Sequence, residues 1–147
     1  MNVLVLEDRG SVSFYLEEAL VAEGHEVFAA FNINDARSLF EDKPIDCIIE
    51  DLNMSPDGLE PKEIKMTQSG ILTGWIWLRE HVLKKKDWMS NRTIIYSEYL
   101  PQLREYASEK DLRGIRTVAK RGSTNPTKEL LGYVREIAKT VKRKEER

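Results

Sequence analysis

Five short apolar runs recur along the chain, and a helical period of apolar positions follows each of them. Val3-Leu4-Val5-Leu6 is the first run, stopped by Glu7-Asp8 and then Arg9-Gly10. From residue 11 to 23 the period becomes helical, with Val12, Leu16, Ala19 and Leu20 on one stripe and Gly24 closing it. Glu26-Val27-Phe28-Ala29-Ala30 is a second, less apolar strand and reads as a sheet edge. Ala36, Leu39 and Phe40 mark a short helix beginning near Asn34, and Pro44 closes that unit. Asp46-Cys47-Ile48-Ile49-Glu50-Asp51 is the third strand, a β-branched run ending on two acids. Short continuous apolar runs are buried on both faces, as central strands of parallel sheets are.

Residues 55–69 break the rhythm: Pro56, Asp57-Gly58 and Pro61 exclude one continuous helix. The helical period resumes at Thr73, with Trp75, Leu78 and Val82 on one side and Lys84-Lys85-Lys86 near the negative end of the helix dipole. Thr93-Ile94-Ile95-Tyr96-Ser97 is a fourth strand. Leu100-Pro101 opens a fourth helix, expected to reach about Leu112 and to stop at Gly114. Residues 115–120 form a weak fifth strand, and Asn125-Pro126 starts a last helix with Leu130, Val134, Ile137 and Val141 on one stripe. The charged 142–147 segment reads as a solvated or frayed helix end, a C-terminal tail. A helical segment after every strand leaves no tight hairpins. The expectation is a single α/β domain over 1–147, a doubly wound five-stranded parallel sheet with five helices.

Composition changes this picture little. With 147 residues, 41% hydrophobic and 33% charged, the chain is long enough for a proper core. A formal net charge of −2 gives no footing for direct nucleic-acid binding. Neither a signal peptide nor a membrane span is readable, and the lone Cys47 in an apolar strand suits a buried thiol in a reducing compartment. A cytoplasmic protein without membrane insertion is expected.

The chemistry collects where the strands end. In a doubly wound sheet every strand C-terminus lies on one edge, where ligands bind. The first strand brings Glu7 and Asp8 there, the third Asp51, the fourth Ser97 and the fifth Lys120. Two like charges about 4 Å apart repel by roughly 4 kcal/mol at an effective dielectric near 20. Three acids on one rim therefore require cations. Lys120 is one, and an oxygen-only ligand set points to Mg²⁺ for the remainder. Together these groups fit phosphoryl transfer, with Asp51 as nucleophile and the cations and Ser97 holding the phosphoryl oxygens.

These residues, in this order, resemble the receiver domain of bacterial two-component response regulators. The resemblance rests on Val3-Leu4-Val5-Leu6-Glu7-Asp8, Gly24-His25-Glu26-Val27, Asp51-Leu52-Asn53-Met54, Ile94-Ile95-Tyr96-Ser97 and Ala119-Lys120, and covers nearly the whole chain. It implies a flavodoxin-like sheet of order 2-1-3-4-5. It also implies that Asp51 accepts a phosphoryl group from a sensor histidine kinase or phosphotransfer protein, with self-phosphorylation and self-dephosphorylation as the only chemistry of the chain itself. Asp8, Asp51 and the backbone carbonyl of Asn53 would bind Mg²⁺, with Glu7 acting through water. Ser97 would move towards the phosphate and Lys120 would pair with it. With no output domain following the last helix, a stand-alone receiver signalling through a downstream protein is expected. Homodimerisation through the fourth helix, fifth strand and fifth helix is a further partner mode.

The sequence departs from the family pattern in four places. The interval from Asp51 to Ser97 is long. Of two registers, Asp57-Gly58-Leu59 and Gly74-Trp75, the second leaves a full helix before the fourth strand, which puts an inserted loop at about 55–73. Such a loop is either a mobile insert or a lid or partner-binding element. Glu98 follows Ser97 where a small residue is usual. Arg121 follows Lys120 where proline is usual, so the loop is either strained or differently routed. Thr117 stands at the aromatic switch position. These departures support an alternative, a degenerate receiver working as a phosphorylation-independent interaction module. A haloacid-dehalogenase-like phosphatase is disfavoured because the acid it needs two residues after the nucleophile is Asn53.

Overall fold

The first strand, β1 (Asn2–Leu6), lies inside the sheet and sends alternate side chains to two different cores. Leu4 and Leu6 face one layer and Val3 and Val5 the other, all fully buried, so every position in the run is apolar. The computed structural model describes residues 1–122 and 124–145. Its strands β1, β2 (Glu26–Ala30), β3 (Cys47–Glu50), β4 (Thr93–Ser97) and β5 (Arg116–Ala119) form one sheet in the order β2-β1-β3-β4-β5, every neighbouring pair parallel. Both the expected strand order and the edge position of β2 hold.

Helices α1 (Gly10–Ala22) and α6 (Pro126–Glu145) cover one face through Leu16, Leu20 and the stripe Leu130, Val134, Ile137 and Val141. The other face carries α2 (Ile33–Asp42), α3 (Pro61–Ile64), α4 (Thr73–Trp77) and α5 (Leu100–Tyr106). Helix α4 widens into π-type turns over Leu78–Leu83, and its Trp75, Trp77 and Leu78 are fully buried or nearly so. Among the described residues no helix is long and apolar enough to cross a membrane.

Three boundaries differ from the sequence reading. Helix α5 ends at Tyr106, not near Leu112. Ser108 Oγ accepts the Asp111 N–H at 3.1 Å and Asp111 Oδ2 accepts the Ser108 N–H at 3.3 Å, a side-chain turn that competes with further helix. Helix α6 continues through Glu145, so positions 142–145 of the charged segment are helical, while 146 and 147 lie outside the described residues. The segment 55–73 adds a helix to the five expected. Pro61 opens α3 at a tolerated position, and Glu60 and Glu63 satisfy each other's backbone N–H in a capping box.

That segment is packed. Leu59 and Leu72 are buried, and Ile64, Met66 and Ile71 lie against the same core. Thr67 accepts the Gly70 N–H at 3.1 Å, while Thr73 donates its hydroxyl to the Met54 carbonyl at 2.9 Å and so ties the end of the segment to its beginning. Gly74 is the pivot. A Cβ there would overlap the Asp51 carbonyl oxygen, and the Gly74 N–H reaches Leu52 O at 3.0 Å. The Gly74-Trp75 register is thus the one that lets α4 press on the turn carrying Asp51.

Candidate functional site

Parallel pairing delivers the predicted residues to one edge. The Asp51 N–H bonds to Leu6 O at 3.0 Å, the Glu7 N–H to Ala30 O at 3.0 Å, and the Lys120 N–H to Ser97 O at 3.2 Å. The residue after each of β1, β3 and β5 is therefore pinned to the neighbouring strand. Lys120 Nζ lies 2.7 Å from Glu7 Oε2 and 2.8 Å from Asp51 Oδ2. The other Asp51 oxygen accepts the Leu52 N–H at 2.7 Å, and the other Glu7 oxygen accepts the Arg9 N–H at 3.1 Å. Asp8 projects from the same loop into solvent, and carboxylate oxygens of Glu7, Asp8 and Asp51 come within 4.8 Å of one another.

Burial gives the cluster its electrostatic character. Burial raises the Glu7 pKa, Asp51's charge adds to the rise, and the contacts from Lys120 and the Arg9 N–H do not cancel it. Burial pulls Lys120 down, but its hydrogen bonds to Asp51 and Glu7 outweigh this and hold it above the ordinary lysine value. Its ammonium also stands 5.3 Å from the Tyr96 ring centroid. Three carboxylates against one ammonium leave an oxygen-only donor set with excess negative charge, which fits a hard divalent cation such as Mg²⁺.

The remaining predicted residues are placed nearby. Ser97 is fully buried at the end of β4, and its hydroxyl accepts the Tyr99 N–H at 3.1 Å. Asn53 lies partly buried in the turn after Asp51. Thr117 Oγ1 accepts a hydrogen bond from Arg104 at 3.3 Å. The peptide between Lys120 and Arg121 is trans, so the loop is routed differently. Cys47 is buried, and burial pushes its thiol up to about 12, which suits a core residue.

Two features were not readable from the residues singly. The departures at 98 and 121 are partners: Glu98 contacts Arg121 Nε at 3.2 Å and Arg9 at 3.6 Å, so one acid bridges three strand-end loops. The signal lay in opposite charges on neighbouring loops, which only the strand order brings together. Glu50 is buried with neither carboxyl oxygen hydrogen-bonded among the described residues. Burial foremost, and then the Asp51 charge, raise its pKa well above the ordinary value.

Glu50 leads to a pH prediction. The native state holds its proton after the unfolded chain has lost it, so the native state binds more protons and stability falls as pH rises. The fall begins near the ordinary glutamate value of 4.5 and continues towards the raised native one, with a limiting slope of about 1.4 kcal/mol per pH unit for a single site. Glu50→Gln should be more stable than the native chain at pH 7 and should lack this slope. Urea melts of both between pH 4 and 8 test it, and parallel curves would show that Glu50 does not titrate in this way.

No family model matches the chain, and no curated protein sequence matches it. Solved structures do. The response regulator TrrA from Thermotoga maritima in complex with Mg²⁺-BeF is 24% identical, with a TM-score of 0.65 over 92% of this chain and 97% of that one. The chemotaxis protein CheY4 from Vibrio cholerae is 17% identical, with a TM-score of 0.65 over 92% and 97%. The complex of histidine kinase ThkA with TrrA matches at 23% identity and a TM-score of 0.60, over 92% and 97%. The chain has the response-regulator receiver fold. In this receiver fold the Glu7, Asp8, Asp51 and Lys120 cluster occupies the edge formed by the C-terminal ends of the strands.

Proposed function

We propose that the chain is a phosphoacceptor receiver in which Asp51 takes a phosphoryl group from the phosphohistidine of a sensor kinase or phosphotransfer protein. The observation that carries this reading is the convergence on Asp51 of a lysine at 2.8 Å and two further carboxylates, delivered by three different strands. A carboxylate oxygen of Asp51 forms the new O–P bond as the donor's P–N bond breaks, and the departing imidazole takes a proton from water. The product is an acyl phosphate, which water later hydrolyses. Lys120 already stands beside the attacking carboxylate and is placed to neutralise phosphoryl oxygens. Ser97 supplies a hydroxyl to the same group when it leaves the Tyr99 N–H. Asp8, Asp51 and the Asn53 carbonyl would hold Mg²⁺, with Glu7 acting through water. When bound, the ion supplies positive charge to the transferring oxygens.

The signal would leave along α5, β5 and α6, where Ser97, Thr117 and Arg121 help line a groove of about 720 Å³. Phosphorylation adds about −1.5 to −2 charges beside Arg9 and Arg121. These arginines would then turn from Glu98 to the phosphoryl group and change that surface, presenting it to a downstream protein or to a second copy of the chain.

Incubation with acetyl phosphate and Mg²⁺ followed by intact-mass measurement tests the reading. One acid-labile phosphoryl adduct, abolished by chelation, is expected. Mg²⁺ titration by tryptophan fluorescence should weaken on Asp8→Ala, and unchanged affinity would remove Asp8 from the metal site. Glu98→Ala should speed phosphorylation by acetyl phosphate. It leaves Arg9 and Arg121 without their acid, and removing about 1 kcal/mol of repulsion from an anionic donor corresponds to about a fivefold rate increase. The gain should shrink at high salt.

One observation favours a second reading, a phosphorylation-independent interaction module: Glu98 puts a carboxylate on the two arginines at the site's rim. A native chain without an adduct, unchanged by Glu98→Ala, would overturn the phosphoacceptor reading and favour this one.

A further inference from the structure

We propose that the cavity between α2 and the π-type turns after α4 is a binding site for a small aromatic anion, separate from the acceptor site. The cavity holds about 240 Å³. An engineered apolar cavity of about 150 Å³ takes up benzene, so this space suits one aromatic ring with an anionic group. Its floor is aromatic. Phe40 and Trp77 meet edge to face with ring centroids 6.3 Å apart, and the buried Trp77 indole N–H has no acceptor among the described residues.

The walls carry cations. Arg37, Lys85 and Lys86 line the cavity together with His81 and one carboxylate, that of Glu41. Lys85 and Lys86 make no ion pair among the described residues, and the Arg37 guanidinium bonds only to neutral oxygens, those of Asn34 and Gly58. Neighbouring lysines do find acids: Lys84 pairs with Glu80. Three cations without a carboxylate partner around one small cavity form a local field that an anion would neutralise. Lys86 is already held over the aromatic floor, its ammonium 5.2 Å from the Phe40 centroid.

The 55–73 segment fixes this arrangement from behind. The Gly58 carbonyl accepts from Arg37, and Glu63, itself buried, holds His81 Nε2 at 2.9 Å. His81 therefore lines the cavity with Nδ1 as its remaining polar atom. A site braced before the ligand arrives loses less entropy on binding. The ligand class follows from the two surfaces together: a flat apolar body for the floor, and a carboxylate, sulfonate or phosphonate for the cations.

Calorimetric titration of the full chain with phenylphosphonate tests the proposal, because this anion cannot donate a phosphoryl group. Methylphosphonate supplies the charge without the ring, and benzyl alcohol the ring without the charge. Phenylphosphonate should bind at least about tenfold tighter than either, and Lys85→Ala with Lys86→Ala should weaken it by about tenfold or more, as expected for lost hydrogen bonds to a charged group. Binding should persist without Mg²⁺ and in Asp51→Asn, so it stands apart from the phosphoacceptor reading. Equal affinity for all three probes, an unchanged affinity in the double variant, or amide NMR shifts centred on Asp51 would overturn the proposal.

Discussion

Asp51→Asn is expected to leave no acid-labile phosphoryl adduct after incubation with acetyl phosphate and Mg²⁺, while the native chain acquires one. The side chains are nearly isosteric, so the change tests chemistry more than folding. An amide oxygen can still accept the Leu52 N–H that Asp51 Oδ1 accepts at 2.7 Å. What would be lost is the anionic nucleophile of the proposed reaction, and an amide is not a substitute for it. Folding should not suffer. The variant removes one of three clustered carboxylates, and Lys120 keeps its 2.7 Å contact with Glu7. Thermal melts should therefore match or exceed those of the native chain while the adduct disappears. An equal adduct on the Asn variant would place the acceptor elsewhere.

Gly74→Ala is expected to destabilise the fold, although helix propensity argues the opposite. Alanine in a helix is favoured over glycine by about 1 kcal/mol. At Gly74, however, the added Cβ would overlap the Asp51 carbonyl oxygen and lie 3.2 Å from its carbon and 3.3 Å from the Leu52 Cα. These are backbone atoms next to a strand end, unable to swing aside like a flexible side chain. Overpacking of this kind costs about 1–3 kcal/mol in side-chain cores, and a backbone clash belongs at or above the upper end. A net loss of about 2 kcal/mol is expected in urea unfolding, with slower phosphorylation because the Asp51 turn is displaced. Gly132 in α6 is the control. A Cβ there meets nothing within 4 Å, so Gly132→Ala should stabilise by roughly the propensity difference of 0.5–1 kcal/mol. Stabilisation by both changes would show that α4 does not press on the Asp51 turn.

Much of the fold was legible because β1, β3 and β4 are buried on both faces and so leave unbroken apolar runs. The stripe Leu130, Val134, Ile137 and Val141 was legible for the related reason that α6 buries one face. The end of α5 was not, because the Ser108–Asp111 turn wins over a continuing helical pattern by side-chain bonds that periodicity does not register. The 55–73 segment reads as irregular, yet its apolar residues are spent on the sheet core and its polar ones on local caps, Glu60 with Glu63 and Thr67 with Gly70.

The candidate site divides in the same way. A carboxylate or lysine just past a buried strand announces its position, because in a parallel sheet every such residue comes to the same edge. Glu7, Asp8, Asp51, Ser97 and Lys120 could be named on that ground. Which of them touch, and how deeply each is buried, depends on pairing between strands far apart in sequence. Lys120 reaches Glu7 across 113 positions, and no local pattern encodes that contact.

The sequence by itself determined the strand–helix alternation and the edge at which Glu7, Asp8, Asp51 and Lys120 gather, because burial of alternate faces and the direction of parallel strands follow from residue order alone. Only the tertiary structure decided that Glu98 and Arg121 are partners, that Glu50 lies in the core without a hydrogen-bond partner among the described residues, that Gly74 supports the Asp51 turn, and that α2 and the residues after α4 line a cavity with three cations. Each of these depends on distances between elements, which are set by how the helices pack on the sheet and not by any pattern along the chain.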